Sequence, residues 1–164
     1  MTDLQELLQS PRELDMKKEE LNTKKRGYWG IAFFEPKFEE NIGTAIRSAH
    51  CFGTDFICLI GKRFRKTPTD TMASERHIPI YEYKDLKDFQ SNLPIGCELV
   101  VVECDGEDIK DFRHPLRAIY LLGGEDRTVP KLTGKRVRFP TSHPLNMAMA
   151  ATLISYDRII KAYA

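Results

Sequence analysis

Cysteine is sparse in this chain, and the four cysteines form no C-x-x-C pair. A disulfide framework is typical of small, cysteine-dense secreted chains, and a zinc site needs closely spaced ligand pairs. Most of the cysteines lie in apolar runs, so we interpret all four as reduced core thiols and expect no metal site. They are Cys51, Cys58, Cys97 and Cys104.

Long apolar segments are also absent. No run of about 18 apolar residues occurs, as a membrane-spanning helix would require. The first residues are polar and charged and lack the apolar stretch of a signal peptide. We therefore expect a cytoplasmic protein with no membrane partner.

Charge of one sign is not in excess, since the formal net charge is +1 at pH 7. Bulk charge therefore gives no argument for a polyanionic partner, and a nucleic-acid surface would have to come from local clusters. Hydrophobic residues make up 41% and charged residues 30%, which is the ordinary balance of a folded chain. The 164 residues suit one domain, which would bury about two-thirds of the surface of its unfolded chain.

Apolar runs and turn residues divide the chain into two parts. Residues 1–26, rich in Glu, Lys and Leu, predict a charged helical appendage, and residues 27–164 predict the main domain. In that domain strands alternate with helices, and near-continuous apolar strands predict an α/β fold with a mostly parallel sheet and helices on both faces. We expect Asn41 to cap the first helix and Gly53 to end it. The predicted strands cover residues 28–34, 55–60, 78–83, 98–103, 118–122 and 136–139, and the predicted helices cover residues 41–52, 85–91 and 145–162.

Ligands in open parallel sheets collect beyond the carboxyl ends of the strands. A dinucleotide-binding fold would place a glycine-rich turn after the first strand, but the residues there are EPKFEEN. Gly123 and Gly124 come instead after a later buried strand, and a flat ligand can approach the backbone closely there. Taken alone, such a turn is more often a plain connection.

Two further segments contain candidate functional groups. In ENIGTAIRSAHCFG, Gly43 and Arg47 fall on one helical face, so the arginine would flank a surface floored by glycine; the alternative is a solvated arginine. In RFPTSHPLNMAMAATLISYD, a proline-bounded loop leads into a helix whose alanines and methionines favour core packing. Backbone groups of that loop are then the better candidate ligands.

Three ordered segments, N-x-G-x-x-x-R, a strand followed by G-G-E, and a proline loop leading to L-N, resemble the three motifs of the SpoU/TrmH family of SPOUT RNA methyltransferases. The resemblance covers about residues 27–162. It implies a deep trefoil knot near the C-terminus, which apolar periodicity would not suggest. It also implies a homodimer that uses S-adenosyl-L-methionine as methyl donor and needs no metal.

The resemblance also implies roles for individual residues. The catalytic group would comprise Arg47, Asn41, Glu125 and Asn146. A guanidinium is a poor general base, so we expect Arg47 to bind a phosphate and stabilise the developing alkoxide. The donor-binding residues would be Leu122, Gly123, Gly124, Phe139, Pro140, Leu145 and Asn146.

The third motif departs from the family pattern. The family commonly has a serine before L-N, where this chain has Pro144 on a shorter loop. Ser142 therefore does not simply inherit the role of that serine. His143 is tempting as a base, although a loop histidine of this kind is more often an incidental surface residue.

A basic stretch after the second strand is the candidate RNA-binding surface. Phe64 lies among its cations and is expected to stack on an unpaired base while the cations neutralise phosphates. A solvated basic loop is the alternative. Ser74, Arg76 and His77 match the region where the family approaches its RNA. The predicted RNA-binding residues are Lys62, Arg63, Arg65, Lys66 and Arg76.

The function implied by the resemblance is ribose 2′-O-methylation of RNA, with tRNA favoured over rRNA because the appendage is short. Three alternatives stay open. One is a catalytically inactive RNA-binding protein of the same fold, and another is a SPOUT methyltransferase that modifies bases. The third is an unrelated flavodoxin-like nucleotide binder, which leaves the third segment unexplained.

Overall fold

One six-stranded sheet organises the protein. The structure, a computed structural model, describes residues 27–124 and 126–164, with the side chain of Tyr163 excepted. The strands lie in the order β3-β2-β1-β5-β4-β6, and all of their pairings are parallel, which confirms the predicted fold class. The strands are β1 (Tyr28–Phe34), β2 (Phe56–Ile60), β3 (Ile80–Tyr83), β4 (Glu98–Asp108), β5 (Arg117–Gly123) and β6 (Lys135–Arg138).

Three α-helices and one short 3₁₀ turn accompany the strands in the described part of the chain. The helices are α1 (Glu39–Cys51), α2 (Leu86–Ser91) and α3 (Met147–Tyr163), and the 3₁₀ turn is Ser74–Arg76. The prediction that Asn41 caps α1 is wrong, because the N-cap residue is Phe38, whose side chain makes no capping bond. Glu39 and Glu40 in the first turn favour this earlier start through the helix dipole. Gly53, with φ of +70°, follows the helix end as predicted.

Both faces of the sheet are covered, which explains why the central strands are apolar at nearly every position. Trp29, Ile31 and Phe33 of β1 pack in one cluster with residues of α1 and α3. Ala32 of the same strand belongs to a second cluster on the opposite face, together with Phe89 of α2. The alternation of side chains along a strand produces this division.

Strand β4 is longer than predicted, because its polar second half pairs with β6. The register shifts between Val102 and Glu107, both of which lie opposite Val137. Gly106 makes this close approach possible, since a Cβ atom there would lie 2.4 Å from the backbone nitrogen of Val137. The shift brings the residues just after Val102 to the carboxyl edge of the sheet.

The cysteines are free thiols, but not all of them lie in the core. Cys58 is buried on β2, and burial raises the pKa of its thiol to about 12. Cys51 and Cys104 are exposed, so the prediction of core thiols is wrong for these two. Cys51 is the last residue of α1 and Cys104 lies in the polar half of β4.

In the described residues no helix is both long and apolar enough to cross a membrane.

Candidate functional site

A cavity of about 290 Å³ opens at the carboxyl edge of the sheet, among the segments that follow β4, β5 and β6 and the first turns of α3. Its walls combine apolar side chains with the glycine turn after β5. The apolar wall residues are Val102, Leu122, Phe139, Leu145, Met147 and Ala150. Apolar walls with a few polar groups are typical of small-molecule sites.

The glycine turn is packed tightly against neighbouring backbone. Gly124 donates its N–H to the carbonyl oxygen of Phe34 at 2.7 Å. A Cβ atom on Gly124 would lie 2.2 Å from the carbonyl oxygen of Glu35, and one on Gly123 would lie 2.3 Å from that of Arg127. Both positions therefore require glycine. Through Gly124 the turn packs against the end of β1 beside the cavity.

Ion pairs connect the loop after β1 with the loop after β5. Lys37 contacts Asp126 at 2.5 Å, and Arg127 contacts Glu35 at 2.9 Å. The backbone of Glu35 has φ of +46°, a conformation that non-glycine residues rarely adopt and that is often found at functional sites. Exposed ion pairs contribute little stability, but these two link the two loops beside the cavity.

Glu103 is a cavity residue that the sequence pattern did not indicate. It follows Val102 at the point where β4 leaves its pairing with β5. The backbone N–H of Val129 donates to its Oε1 atom at 2.8 Å. Its position at the end of an apolar strand was the available signal, since ligands collect at such ends.

Five of the seven predicted donor-binding residues line this cavity, and they are Leu122, Gly123, Gly124, Phe139 and Leu145. Pro140 does not line it, because it lies in the exposed loop after β6. Asn146 is the N-cap of α3, and its Oδ1 atom accepts hydrogen bonds from the backbone N–H groups of Ala148 at 2.9 Å and Met149 at 3.3 Å. The structure thus gives Asn146 a definite role in starting the helix.

The predicted catalytic residues of the first motif lie on α1. Arg47 is exposed, and its side chain makes no hydrogen bond or ion pair with any described residue. Asn41 is half-buried near the start of the helix. Glu125 is outside the described residues. Neither Arg47 nor Asn41 lines the cavity.

Gly43 is covered and does not floor an open surface, so that expectation is wrong. A Cβ atom on Gly43 would lie 1.9 Å from Oγ1 of Thr67 and 2.3 Å from Oγ1 of Thr69. Thr69 also donates to the carbonyl oxygen of Glu40 at 2.9 Å. Residues 62–77, which we call the basic loop, therefore dock on α1 at its glycine.

A buried carboxylate holds the later part of the basic loop. Asp70 accepts hydrogen bonds from the backbone N–H of Ser74 at 2.7 Å and from its hydroxyl at 2.8 Å. Burial alone would raise the pKa of Asp70, but the hydrogen bonds from Ser74 and Glu75 outweigh it and lower the pKa. The carboxylate is thus charged at neutral pH and fixes the 3₁₀ turn.

The cations of the basic loop differ in their partners. Lys62 donates to the carbonyl oxygen of Lys37 at 2.7 Å, and Arg65 and Lys66 lie 3.7 and 3.6 Å from carboxylates of Glu39 and Glu75. Arg63 and Arg76 are exposed and have no ionic partner among the described residues.

Phe64 is not a free stacking ring. It is half-buried and packs against the cluster under α1 and α3, and its role in base stacking stays a prediction. Its backbone N–H donates to Oε1 of Glu82 at 2.7 Å.

The loop of the third motif is exposed. The hydroxyl of Ser142 lies 3.0 Å from Nδ1 of His143, and Thr141 donates to the carbonyl oxygen of His143 at 2.9 Å. Thr141 and Pro144 line the cavity, whereas Ser142 and His143 do not. The loop therefore contributes its two ends to the cavity and turns its middle to solvent.

Known proteins match this chain in both sequence and structure. A curated relative from Archaeoglobus fulgidus, described as an uncharacterized tRNA/rRNA methyltransferase, is 28% identical over 130 residues, which are 72% of this chain and 58% of the relative. The chain therefore spans a little over half the length of that relative.

Several solved structures share the fold. A protein studied for the 2-OH methylation of C/U34 on tRNA is 22% identical, with a TM-score of 0.68 over 84% of this chain and 95% of that chain. The SpoU methyltransferase AviRb from Streptomyces viridochromogenes, in complex with AdoMet, is 21% identical, with a TM-score of 0.71 over 88% and 64%. The A. aeolicus TrmH/SpoU tRNA modifying enzyme is 17% identical, with a TM-score of 0.71 over 93% and 83%.

The model of the SpoU rRNA Methylase family matches residues 29–156, which include five strands in full, all of β1 except Tyr28, and most of α3. The glycine turn, the first-motif helix and the loop leading to Asn146 all fall inside this match. This chain belongs to the SpoU rRNA methylase family.

Proposed function

We propose that this chain is an S-adenosyl-L-methionine-dependent RNA methyltransferase that modifies a ribose 2′-hydroxyl of tRNA or rRNA. The observation that carries the proposal is the cavity where the glycine turn after β5 meets the loop of the third motif. Membership of the SpoU family supports it, as does the similarity of fold to AviRb, which was solved with AdoMet.

The lining of the cavity fits a nucleoside-based donor. Val102, Leu122 and Phe139 offer an apolar wall for a flat base, and Gly123 and Gly124 line the cavity with backbone atoms alone. Glu103 adds a carboxylate beside that wall. When bound, S-adenosyl-L-methionine supplies an electrophilic methyl group, which requires no metal.

Arg47 is proposed to act on the RNA rather than on the donor. Its guanidinium is exposed and has no partner among the described residues, so it is available for a phosphate. A guanidinium is a poor base, so Arg47 stabilises negative charge on the ribose oxygen while the hydroxyl proton passes to solvent water. Arg63 and Arg76 are further exposed cations, on the basic loop that docks on the same helix.

A second copy of this chain is proposed to cover the outer face of α3. Four large apolar side chains are exposed there, at spacings of four, three and four residues that place them on one stripe. This spacing is typical of helices that pack on other helices. The stripe consists of Met149, Leu153, Tyr156 and Ile160.

An inactive RNA-binding protein of the same fold is the second candidate. The observation that favours it is the third-motif loop, where Pro144 stands in place of the usual serine and, among the described residues, the Ser142 hydroxyl hydrogen-bonds only to its neighbour His143. Donor binding without methyl transfer to any RNA would support this candidate.

The test is incubation of the purified protein with labelled S-adenosyl-L-methionine and total tRNA and rRNA, followed by nucleoside analysis. We expect 2′-O-methylated nucleosides from the wild type and a loss of about 100-fold in rate for Arg47→Ala. Arg47→Lys should recover part of the rate, because it keeps the charge but loses the bidentate fork.

The matched control is Arg113→Ala, which removes another exposed arginine that has no hydrogen bond or ion pair to a described residue. Arg113 precedes β5, at the opposite edge of the sheet from the cavity. Base-methylated products would contradict the ribose assignment, and an unchanged rate in Arg47→Ala would contradict the role of Arg47.

A further inference from the structure

Each charged side chain that lines the cavity forms an ion pair with an oppositely charged residue, with one exception. Asp126 is paired with Lys37 at 2.5 Å, Arg127 with Glu35 at 2.9 Å, and Arg138 with Asp108 at 3.3 Å. Glu103 has no cationic partner among the described residues. The cavity therefore contains an uncompensated carboxylate.

The carboxylate of Glu103 is held by one hydrogen bond and can accept more. Its Oε1 atom accepts the backbone N–H of Val129 at 2.8 Å. Its Oε2 atom makes no hydrogen bond with any described residue. An ionised carboxylate accepts several hydrogen bonds, so this group retains capacity for a ligand that donates.

The surroundings of Glu103 indicate which part of a ligand it meets. The preceding residue, Val102, pairs in register with Leu122, and both belong to the apolar wall. In the methyl donor the ribose is bonded directly to the base, whereas the amino-acid part lies several bonds further away. A base packed on that wall therefore brings the ribose closer to Glu103 than the amino-acid part. Acidic residues at strand ends are established partners of ribose hydroxyls in other nucleotide folds.

We propose that Glu103 accepts hydrogen bonds from the ribose hydroxyls of the methyl donor and so helps to select a ribonucleoside ligand. This inference rests on the proposed function, because it assumes that the cavity binds S-adenosyl-L-methionine. Glu103 acts in binding and orientation and takes no part in proton transfer.

The test measures binding by calorimetry, without RNA and without turnover. Wild type, Glu103→Gln and the control Glu107→Gln are titrated with S-adenosylhomocysteine, with 5′-methylthioadenosine and with the 2′-deoxy form of the latter. Glu103→Gln keeps an acceptor for the Val129 N–H, and its thermal unfolding is recorded to confirm that the fold is intact. Glu107 is exposed on the same strand and does not line the cavity.

We expect Glu103→Gln to bind S-adenosylhomocysteine and methylthioadenosine about tenfold more weakly than wild type, since a hydrogen bond to a charged group is lost. The control should bind as wild type does. Wild type should discriminate against the 2′-deoxy compound, and Glu103→Gln should lose most of that discrimination.

Different failures point to different errors. Equal affinities of wild type and Glu103→Gln would overturn the role of Glu103 while leaving the proposed function intact. A loss confined to S-adenosylhomocysteine would show a contact with the amino-acid part and would overturn the ribose assignment. A wild-type protein that binds none of these compounds, nor S-adenosyl-L-methionine itself, would overturn the proposed function.

Discussion

His114 is held between two partners near the amino edge of the sheet. Its Nδ1 atom lies 2.6 Å from the hydroxyl of Tyr120, and its Nε2 atom lies 2.8 Å from Oδ2 of Asp157. Arg158 donates to the same tyrosine oxygen at 2.7 Å, so the tyrosine proton is available for Nδ1 and the imidazole donates through Nε2. A neutral ring satisfies every group in this arrangement.

The charge state of His114 should make stability depend on pH. Burial lowers its pKa below the ordinary value of 6.5, and the approach of Asp157, which acts in the opposite direction, does not compensate. The unfolded chain therefore gains a proton at a higher pH than the folded chain, and the free energy of unfolding falls as the pH drops below about 6.5. Arg158 and Lys161 nearby add to the lowering of the pKa.

We expect the unfolding temperature of the wild type to fall between about pH 7.5 and pH 5.5 by more than that of His114→Gln. Differential scanning calorimetry at several pH values measures both slopes. The other three histidines are present in both proteins and so do not contribute to the difference. Parallel slopes would show that His114 does not titrate in this way.

Asn146 offers a test that separates folding from function. Asn146→Ala removes the acceptor that caps α3 and should lower the free energy of unfolding by about 1 kcal/mol, whereas Asn146→Asp keeps a capping oxygen. Chemical denaturation measures both. If Asn146 also contacts substrate, the aspartate variant should regain stability without regaining methyl transfer. An alanine variant as stable as the wild type would contradict the capping role.

At the scale of elements, α1 and the basic loop behave as one unit. Gly43 on the helix meets Thr67 and Thr69 of the loop, and Thr69 is bonded to the carbonyl oxygen of Glu40. This docking places Arg63 and Arg76 on the same assembly as Arg47. The first motif therefore contributes a docking site for the loop as well as an arginine.

Gly43→Ala should displace the basic loop from α1. The added methyl group overlaps the threonine hydroxyls, and such overpacking lowers the free energy of unfolding by about 1–3 kcal/mol. We expect RNA affinity, measured by filter binding, to fall while affinity for S-adenosylhomocysteine stays as in the wild type. Gln90→Ala, at an exposed position of α2, is the control. Equal losses of both affinities would indicate that the whole site is disrupted.

At the scale of the whole molecule, the apolar stripe on α3 predicts self-association. Leu153→Lys places a charge in the middle of the stripe and should convert a dimer to a monomer in light scattering after size-exclusion chromatography. Ile95→Lys is the control, because Ile95 is 95% exposed and lies outside the stripe. A wild type that is monomeric at high concentration, or a Leu153→Lys variant that remains dimeric, would contradict this interface.

Much of the fold could be predicted because the buried strands are apolar on both faces. The bounds of β1 agree with the prediction, β2 starts one residue later than predicted, and β5 extends one residue further at each end. The second half of β4 was missed, since its polar residues pair only with β6 and lack an apolar pattern. The early start of α1 was missed as well, because Phe38 makes no side-chain capping bond that the pattern could indicate.

The sequence by itself determined the parallel α/β sheet, the family and most of the cavity wall, because apolar periodicity and the glycine turn are local features. Only the tertiary structure decided that Gly43 is covered, that Phe64 packs inward and that Glu103 stands in the cavity. These facts depend on contacts between distant segments, such as the pair of Lys37 and Asp126, which are 89 positions apart. A single sequence carries no direct record of such contacts.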